Sequence, residues 1–418
     1  MAVRRLSNRG NTELQGIAWG LRMSVAQEGK NNRPRTVACS ILMALHGGLA
    51  LLLLYLPWLL CVHAETAGGH LTGGGFLLLG VCPFPVWWRV LGGSWRHAAG
   101  LASAIFGAAV LCLLTAYALS PTGETSGGAL SSRFSGDAHF HRASLSNIVP
   151  EIDQLKLGSY LFAHLDPFID DEQGERVREL FLDVYLELRN DDGLRSAGSA
   201  LGFCYRDIFL NRRTTLHFYE YVPRHLGRKT YPVLVFLHGS LGNFKGYIWV
   251  LKRVADQAGV ALICPTFGAG NWDRDPECTV IDQVHQYVKS VPEFDSSNMV
   301  LSGLSNGGKG VTRAMAKRGQ LWRGAIAISP VLESEVMAKP GFLEQADRIP
   351  ILIIHGESDR RIPLGYVNEH EQELRQAGFD VTTYYYPSKD HFLLFSQPGE
   401  VTDQIVAWLE ARNVPEYR

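Results

Sequence analysis

The chain has almost no net charge. Its 418 residues include 40 Lys and Arg against 41 Asp and Glu, a formal charge of -1. Charge this evenly balanced gives no reason to expect a nucleic-acid partner, which calls for a basic face. Cysteine is sparse, seven in all. There is no C-x-x-C pair and no Cys/His spacing of a zinc site, and "HEQEL" at His370 lacks the second histidine of a zinc-protease helix. No metal is expected. Cys264 and Cys278 could pair as a disulfide, and two free thiols fit equally well.

Formal charge is absent from three stretches altogether: Thr36 to Val62, Leu71 to Trp88 and Ala98 to Leu119. The first and third are each long enough to cross a bilayer core of about 30 Å as a helix. The middle one is broken by Gly80, Pro83 and Pro85, so it reads either as a span or as a kinked, re-entrant segment. A cleaved signal peptide is disfavoured, because residues 1–35 are polar and three runs cluster together. Arg4, Arg5, Arg9, Arg22, Lys30, Arg33 and Arg35 precede the first run, whereas the loop "HAETAGGH" after it has no Lys or Arg. Arg89 and Arg96 lie between the second and third runs. The positive-inside rule then puts residues 1–35 in the cytoplasm as a basic tail. With three spans in 36–119, a multi-pass membrane region bound to the lipid bilayer, the rest of the chain lies outside. With two, it returns to the cytoplasm.

Residues 120–146, opening "SPTGETSGGALSSRFS", read as a flexible linker. Residues 147–212 read as a mainly helical extension. "ERVRELFLDVYLELRN" spaces Val177, Leu180, Phe181, Val184 and Leu188 for one helix face, although it also alternates well enough for a strand. No chemistry is evident there. From about Arg213 to Arg418, apolar strands alternate with amphipathic helices: "TLHFYEYVP", "YPVLVFLHG", "VALICPTF", "NMVLSGLS", "RGAIAISP", "PILIIHG" and "VTTYYYP". That pattern predicts an α/β fold, a mostly parallel sheet covered on both faces, with ligands at the carboxyl ends of its strands.

"GLSNGGKG" at Gly303 fits two machines. As G-x-x-x-x-G-K it could be a phosphate-binding loop, but Gly310 stands where that loop needs a Ser or Thr for magnesium. As G-x-S-x-G it is a nucleophile elbow at Ser305. The elbow demands an acid and then a histidine in loops after later strands. Asp359 follows "ILIIHG" and His391 follows "VTTYYYPSKD", in that order. Rival residues have ordinary explanations. His355 ends a strand, His370 belongs to a charged, solvated helix, and Asp390 is too close in sequence to orient the next ring. Asp347 and Asp380 sit at strand entrances. An oxyanion needs two donors: the Asn306 amide N–H at the elbow, and one from the turn in "LHGSLGNF", Ser240 first and Leu241 as the alternative. Leu241 and Trp249, with Phe267 and Trp272 of "FGAGNWDRD", are candidate pocket walls, packing beneath a loop being the other reading for the aromatics.

Ser305, Asp359 and His391, with "LHG", "GLSNGG" and "HGESDRRIP", resemble the α/β-hydrolase superfamily. The series "FYEYVP…PVLVFLHG…GLSNGG" is similar to polyhydroxybutyrate depolymerase-like and feruloyl-type esterases, and the doubled glycine also resembles prolyl-oligopeptidase-type peptidases. The resemblance covers roughly Arg213 to Arg418. It implies an eight-stranded sheet, serine hydrolase activity and no cofactor. "HGSLGNF" departs from the depolymerase-like esterases, where a cysteine often follows the HG pair. The short stretch between "AIAISP" and "PILIIHG" leaves no room for a large cap. The sequence thus points to a membrane-anchored serine esterase acting on a small acyl ester. A peptidase, or a catalytically silent binding protein, is the competing reading.

Overall fold

The computed structural model describes residues 41–412 and Val414, apart from residues 52, 91–93, 124–128, 135–138, 166, 213–216, 340 and 347–348. The basic tail (1–35) and Asp347 lie outside the described residues. The chain divides into two compact units, one of residues up to His63 with His70–Thr115, the other of Ala64–Gly69 with Ala116–Arg418.

The first unit is helical. Among the described residues one helix is long and apolar enough to cross a membrane, α2 (Trp95–Leu119, 25 residues), and little of it is buried. A second candidate is Ile41–Leu51 joined to Leu53–His63 across a bend of 42°. The middle apolar run does not form a third helix of that length. It is divided between α1 (Ala67–Val81, 15 residues) and a short helix, Phe84–Val90. The break falls at Pro83 and Pro85, where a missing backbone donor and a crowded ring end one helix.

The second unit is built on an eight-stranded sheet: β1 (Leu130–Phe134), β2 (His217–Tyr221), β3 (Tyr231–Leu237), β4 (Ala261–Pro265), β5 (Phe294–Leu304), β6 (Trp322–Ile328), β7 (Ile351–Gly356) and β8 (Val381–Tyr386). The spatial order is β1-β2-β4-β3-β5-β6-β7-β8, with β2 antiparallel to both neighbours and β3 to β8 parallel. Successive side chains on a strand point to opposite faces. Leu234, Phe236, Leu262, Val300, Ile326 and Leu352 therefore fill one core, and Val233, Val235, Ile263, Leu301, Ala325 and Ile351 the other. Burial on both faces is why these strands read as unbroken apolar runs.

The region expected as a linker departs from its composition. Residues 130–134 of the 120–146 stretch are β1, paired residue for residue with β2 from Leu130↔Tyr221 to Phe134↔His217. "LSSRF" is polar enough for a linker, but an edge strand needs backbone pairing more than apolar side chains. Its Ser132 hydroxyl meets His217 Nε2 at 2.8 Å, and Arg133 pairs with the buried Glu220 at 3.0 Å.

Within residues 147–212 the long elements are the helices α3 (Glu151–Leu165), α4 (Asp171–Leu188) and α5 (Leu201–Leu210). Asp170 caps α4 by accepting the Gln173 amide N–H at 2.8 Å. Val177, Val184, Tyr185 and Leu188 form its buried stripe. That stripe and Leu201 of α5 join the same core as Leu234 and Leu262, together with α6 (Lys245–Ala258). The opposite core is closed by α7 (Thr279–Ser290), α8 (Gly307–Arg318) and α9 (Leu364–Gln376), whereas α10 (Pro398–Glu410) lies on the first.

Candidate active site

The carboxyl ends of β3, β5, β7 and β8 bring the predicted residues together. β5 stops at Leu304, and Ser305 takes φ +54° before α8 begins at Gly307. A left-handed serine is held there by neighbours: its N–H donates to Ile328 C=O at 3.0 Å, and its own C=O accepts the Gly308 and Val331 amides at 2.8 and 2.9 Å. The turn closes this tightly because Gly303 and Gly307 lack side chains. A Cβ on Gly303 would meet the Gly307 carbonyl oxygen at 2.6 Å, and one on Gly307 the Leu237 carbonyl oxygen at 2.1 Å. The same packing argues against a phosphate loop, since Lys309 faces Asp273 at 3.9 Å and Gly310 lies against Leu237 and Trp272.

His391 Nε2 lies 3.1 Å from Ser305 Oγ, and His391 Nδ1 lies 2.7 Å from Asp359 Oδ2. The other carboxylate oxygen of Asp359 accepts the Arg361 and Ile362 amides, each at 2.9 Å. Burial pushes the Asp359 carboxyl up, but the hydrogen bond from His391 and the backbone donors outweigh it and hold the group below the usual carboxylate range. It is thus an anion, able to fix the ring with its proton on Nδ1 and leave Nε2 facing the serine.

The turn after β3 stands beside the elbow. Asn306 Nδ2 donates to Ser240 Oγ at 2.7 Å, and a Cβ on Gly239 would lie 3.4 Å from Ser305 Cβ. Neither the Asn306 nor the Ser240 amide N–H is spent on another described residue. The Leu241 N–H donates to Ala269 C=O at 3.0 Å. That removes Leu241 as the alternative donor. Its side chain, 40% exposed, is an open apolar surface next to Ser240.

His238 was legible only as part of a turn, and it holds that turn. Its Nε2 accepts the Phe267 N–H at 3.0 Å, which leaves Nδ1–H to donate to Gly239 C=O at 2.8 Å. Burial lowers its pKa to about 4, so the ring is neutral. A histidine at the buried end of an all-apolar strand must find partners for both nitrogens, and that was the available signal.

Two of the four expected pocket residues belong elsewhere. Phe267 and Trp272 are 3% and 2% exposed and stack on each other at 5.2 Å, while Trp272 Nε1 donates to His238 C=O at 2.8 Å. They pack beneath the loop and support the turn. Trp249 is partly buried on α6, with the Arg253 guanidinium 4.1 Å above its ring.

The described rival residues are buried or turned to other partners. His355 is wholly buried, its Nδ1 4.0 Å from Asp359 Oδ2. His370, expected to be solvated, is 2% exposed, with Nε2 2.6 Å from Ser334 Oγ and Nδ1 2.8 Å from Tyr366 C=O. Its helix is charged only on the outward face. The Asp390 carboxylate points away from the His391 ring, toward α4. All six described cysteines are thiols, so Cys264 and Cys278 do not pair. No cluster of metal-binding side chains occurs among the described residues.

Residues 278–407, which contain all three groups, match the sequence model of a family described as Phospholipase/Carboxylesterase (Abhydrolase_2). No curated relative matches the chain. Among solved structures it is similar to a thermostable esterase, at 20% identity over 47% of this chain and 58% of that one, TM-score 0.37. It is also similar to an S-formylglutathione hydrolase from Agrobacterium tumefaciens, at 18% identity over 47% of this chain and 89% of that one, TM-score 0.38. An acylaminoacyl peptidase from Pyrococcus horikoshii matches at 13% identity over 48% and 40%, TM-score 0.38. The chain spans just over half of the first of these structures. The strand order, the elbow and the family match give the second unit an α/β-hydrolase fold.

Proposed function

We propose that the protein is a serine hydrolase that cleaves carboxylic esters through an acyl-enzyme. The relay from Ser305 Oγ through His391 to Asp359, at 3.1 and 2.7 Å, carries this reading. Ser305 Oγ attacks the ester carbonyl carbon while its proton passes to His391 Nε2. The Asn306 and Ser240 amides donate to the oxygen as it gains charge. Collapse breaks the bond to the alcohol, which leaves with the proton from His391. Water then repeats the sequence, and the free acid departs. Asp359 stabilises the imidazolium in both halves and stays ionised. The family description, Phospholipase/Carboxylesterase, favours an ester over a peptide amide.

The apolar helix α2 supports attachment of this hydrolase to a bilayer. The Arg-rich residues 1–35 favour a cytoplasmic amino terminus. Carboxyl-terminal reporter fusions test the arrangement, since an external terminus requires an odd number of spans and a cytoplasmic one an even number.

Covalent labelling with a fluorophosphonate tests the chemistry. Intact protein should label, and Ser305→Ala should not. A folded protein that never labels would remove the hydrolase reading. A panel of p-nitrophenyl esters and aminoacyl anilides tests the substrate class, and anilide turnover above that of every ester would favour a peptidase.

A further inference from the structure

Helix α4 supplies none of the reacting groups, yet it touches the loops that do. Gln173 Nε2 donates to Asp390 Oδ2 at 3.0 Å, and the Arg176 guanidinium pairs with the same oxygen. Asp390 Oδ1 accepts the Phe392 N–H at 3.0 Å. Both oxygens of Asp390 are therefore used, one toward α4 and one across His391 within its own loop. Two turns further along α4, the Phe181 ring lies edge-on to Phe395 at 5.7 Å and to Phe244 at 5.8 Å. Phe395 follows the His391 loop, and Phe244 ends the oxyanion turn at the start of α6.

We propose that Gln173 and Arg176 are positioning residues for His391, acting through Asp390. The proposal rests on the acyl-transfer reading of Ser305, Asp359 and His391. His391 must reach Ser305 with one nitrogen and Asp359 with the other, so the backbone that carries it must be fixed in height and rotation. The Asp359 hydrogen bond fixes only one edge of the ring. Asp390, locked to α4, fixes the chain immediately before it. The Asp390 side chain is 10% exposed, so loss of both α4 donors leaves its largely buried Oδ2 without a partner, while Oδ1 keeps only the Phe392 N–H. The loop relieves that by moving Asp390 outward, and His391 moves with it. A displacement of about 1 Å at a reacting group can lower turnover by about a hundredfold. The double loss of Gln173 and Arg176 should lower it by at least about tenfold.

The test uses the full-length protein with p-nitrophenyl butyrate as substrate. Gln173→Ala/Arg176→Ala should lower kcat by about tenfold or more with KM unchanged. Its melting temperature should match that of Glu187→Gln, which breaks an exposed pair between the same helix and Arg253 (3.2 Å). Arg176→Lys should recover most of the rate. In an Asp390→Asn background the double substitution should add little, because both changes break one linkage. The proposal is overturned if the double variant turns over like the parent protein, if its loss adds fully to that of Asp390→Asn, or if Glu187→Gln loses as much. Failure of the underlying reading looks different, since the parent protein itself would then neither label nor turn over.

Discussion

Residues beyond Arg213 and residues 130–212 belong to one folded unit, yet they contribute in opposite ways. The first region supplies every group placed at the candidate site, each from a loop at a strand's carboxyl end. The second supplies none of them, but it contributes the edge strand β1 and helices that fill the same core as β3 and β4. Chemistry on this fold is thus confined to a few loops, while the stiffness that holds them is spread over a longer length of chain. The difference can be tested by breaking each region separately and asking whether rate or stability is lost.

The largest expected effect is on rate alone. Ser305→Ala should abolish turnover and leave the melting temperature near that of the parent, because the hydroxyl is only partly buried and its backbone is held by Ile328, Gly308 and Val331. Asp359→Asn should lower kcat by roughly 10³–10⁴-fold, since the ring then loses the acceptor that selects its tautomer. If Asp359→Asn remained active and Asp390→Asn did not, the two aspartates would have to exchange roles.

The complementary break lies in the helical region. Buried Glu151, at the start of α3, accepts the Tyr185 hydroxyl, the Ser199 hydroxyl at 2.5 Å and the Lys245 N–H at 2.7 Å. The Lys245 side chain is buried beside it and donates to Ala197 C=O at 3.1 Å. Burial lowers the Lys245 pKa, an effect the Glu151 charge opposes. Glu151→Ala would leave three donors without their acceptor and the buried Lys245 side chain without its nearby opposite charge. Removing one member of such a group destabilises by about 3–5 kcal/mol. Thermal melting of Glu151→Ala, read alongside kcat at a temperature where it stays folded, should show a large loss of stability and a small loss of rate. Equal melting temperatures would mean that residues 147–212 do not share the fold's stability.

This division explains what the sequence could disclose. Ser305, Asp359 and His391 were legible because an elbow motif and two strand-end loops impose a fixed order along the chain. The sheet was legible because burial on both faces writes apolar runs. β1 was not, because "LSSRF" pairs through its backbone and one of its side chains, Arg133, needs only a distant partner, Glu220. Gln173 and Arg176 were illegible for a similar reason: they lie 217 and 214 residues from Asp390, and nothing local marks them. Phe267 and Trp272 misled because a large aromatic near a site looks the same in sequence whether it lines a pocket or supports a turn.

A third effect, on stability with pH, comes from two buried histidines, of which His217 joins the regions. His217 spans β1 and the end of β4, touching Ser132 Oγ and Thr266 Oγ1, each at 2.8 Å. Burial lowers its pKa to about 3, and that of His238 to about 4. An unfolded histidine binds a proton below about pH 6.5, whereas these two stay neutral when folded. Their stability is therefore complete above about pH 6.5 and is lost as pH falls toward about 4, by about 1.4 kcal/mol per pH unit for each ring. The Asp359 carboxyl, lowered in the fold, adds a loss only below the ordinary carboxylate value of about 3.9. Melting temperature should thus fall steeply between pH 6.5 and 4, before the carboxylates protonate. A flat profile from pH 7 to 5 would contradict the burial of both rings.

The smallest effect should come from another ion pair between the regions. Arg360 follows the candidate acid directly, and its Nη1 meets Asp170 Oδ2 at 3.0 Å, ahead of α4. Proximity alone would rank this pair with Arg176–Asp390. Exposure of the acid separates them, because the Asp170 side chain is 59% exposed and that of Asp390 10%, while the two arginines are alike at 64% and 60%. Water solvates both charges once they part, and ordering two long side chains opposes most of the attraction, so such pairs contribute about 0–1 kcal/mol. Asp359 does not need the pair either, because the Arg361 and Ile362 amides and the His391 ring already hold its carboxylate. Arg360→Ala is the cleaner substitution, since Asp170 also caps α4. It should change kcat by less than about twofold and stability by less than about 1 kcal/mol, with any difference disappearing at high salt. A loss of kcat comparable to that from Gln173→Ala/Arg176→Ala would mean that α4 acts on the acid loop as strongly as on the histidine loop.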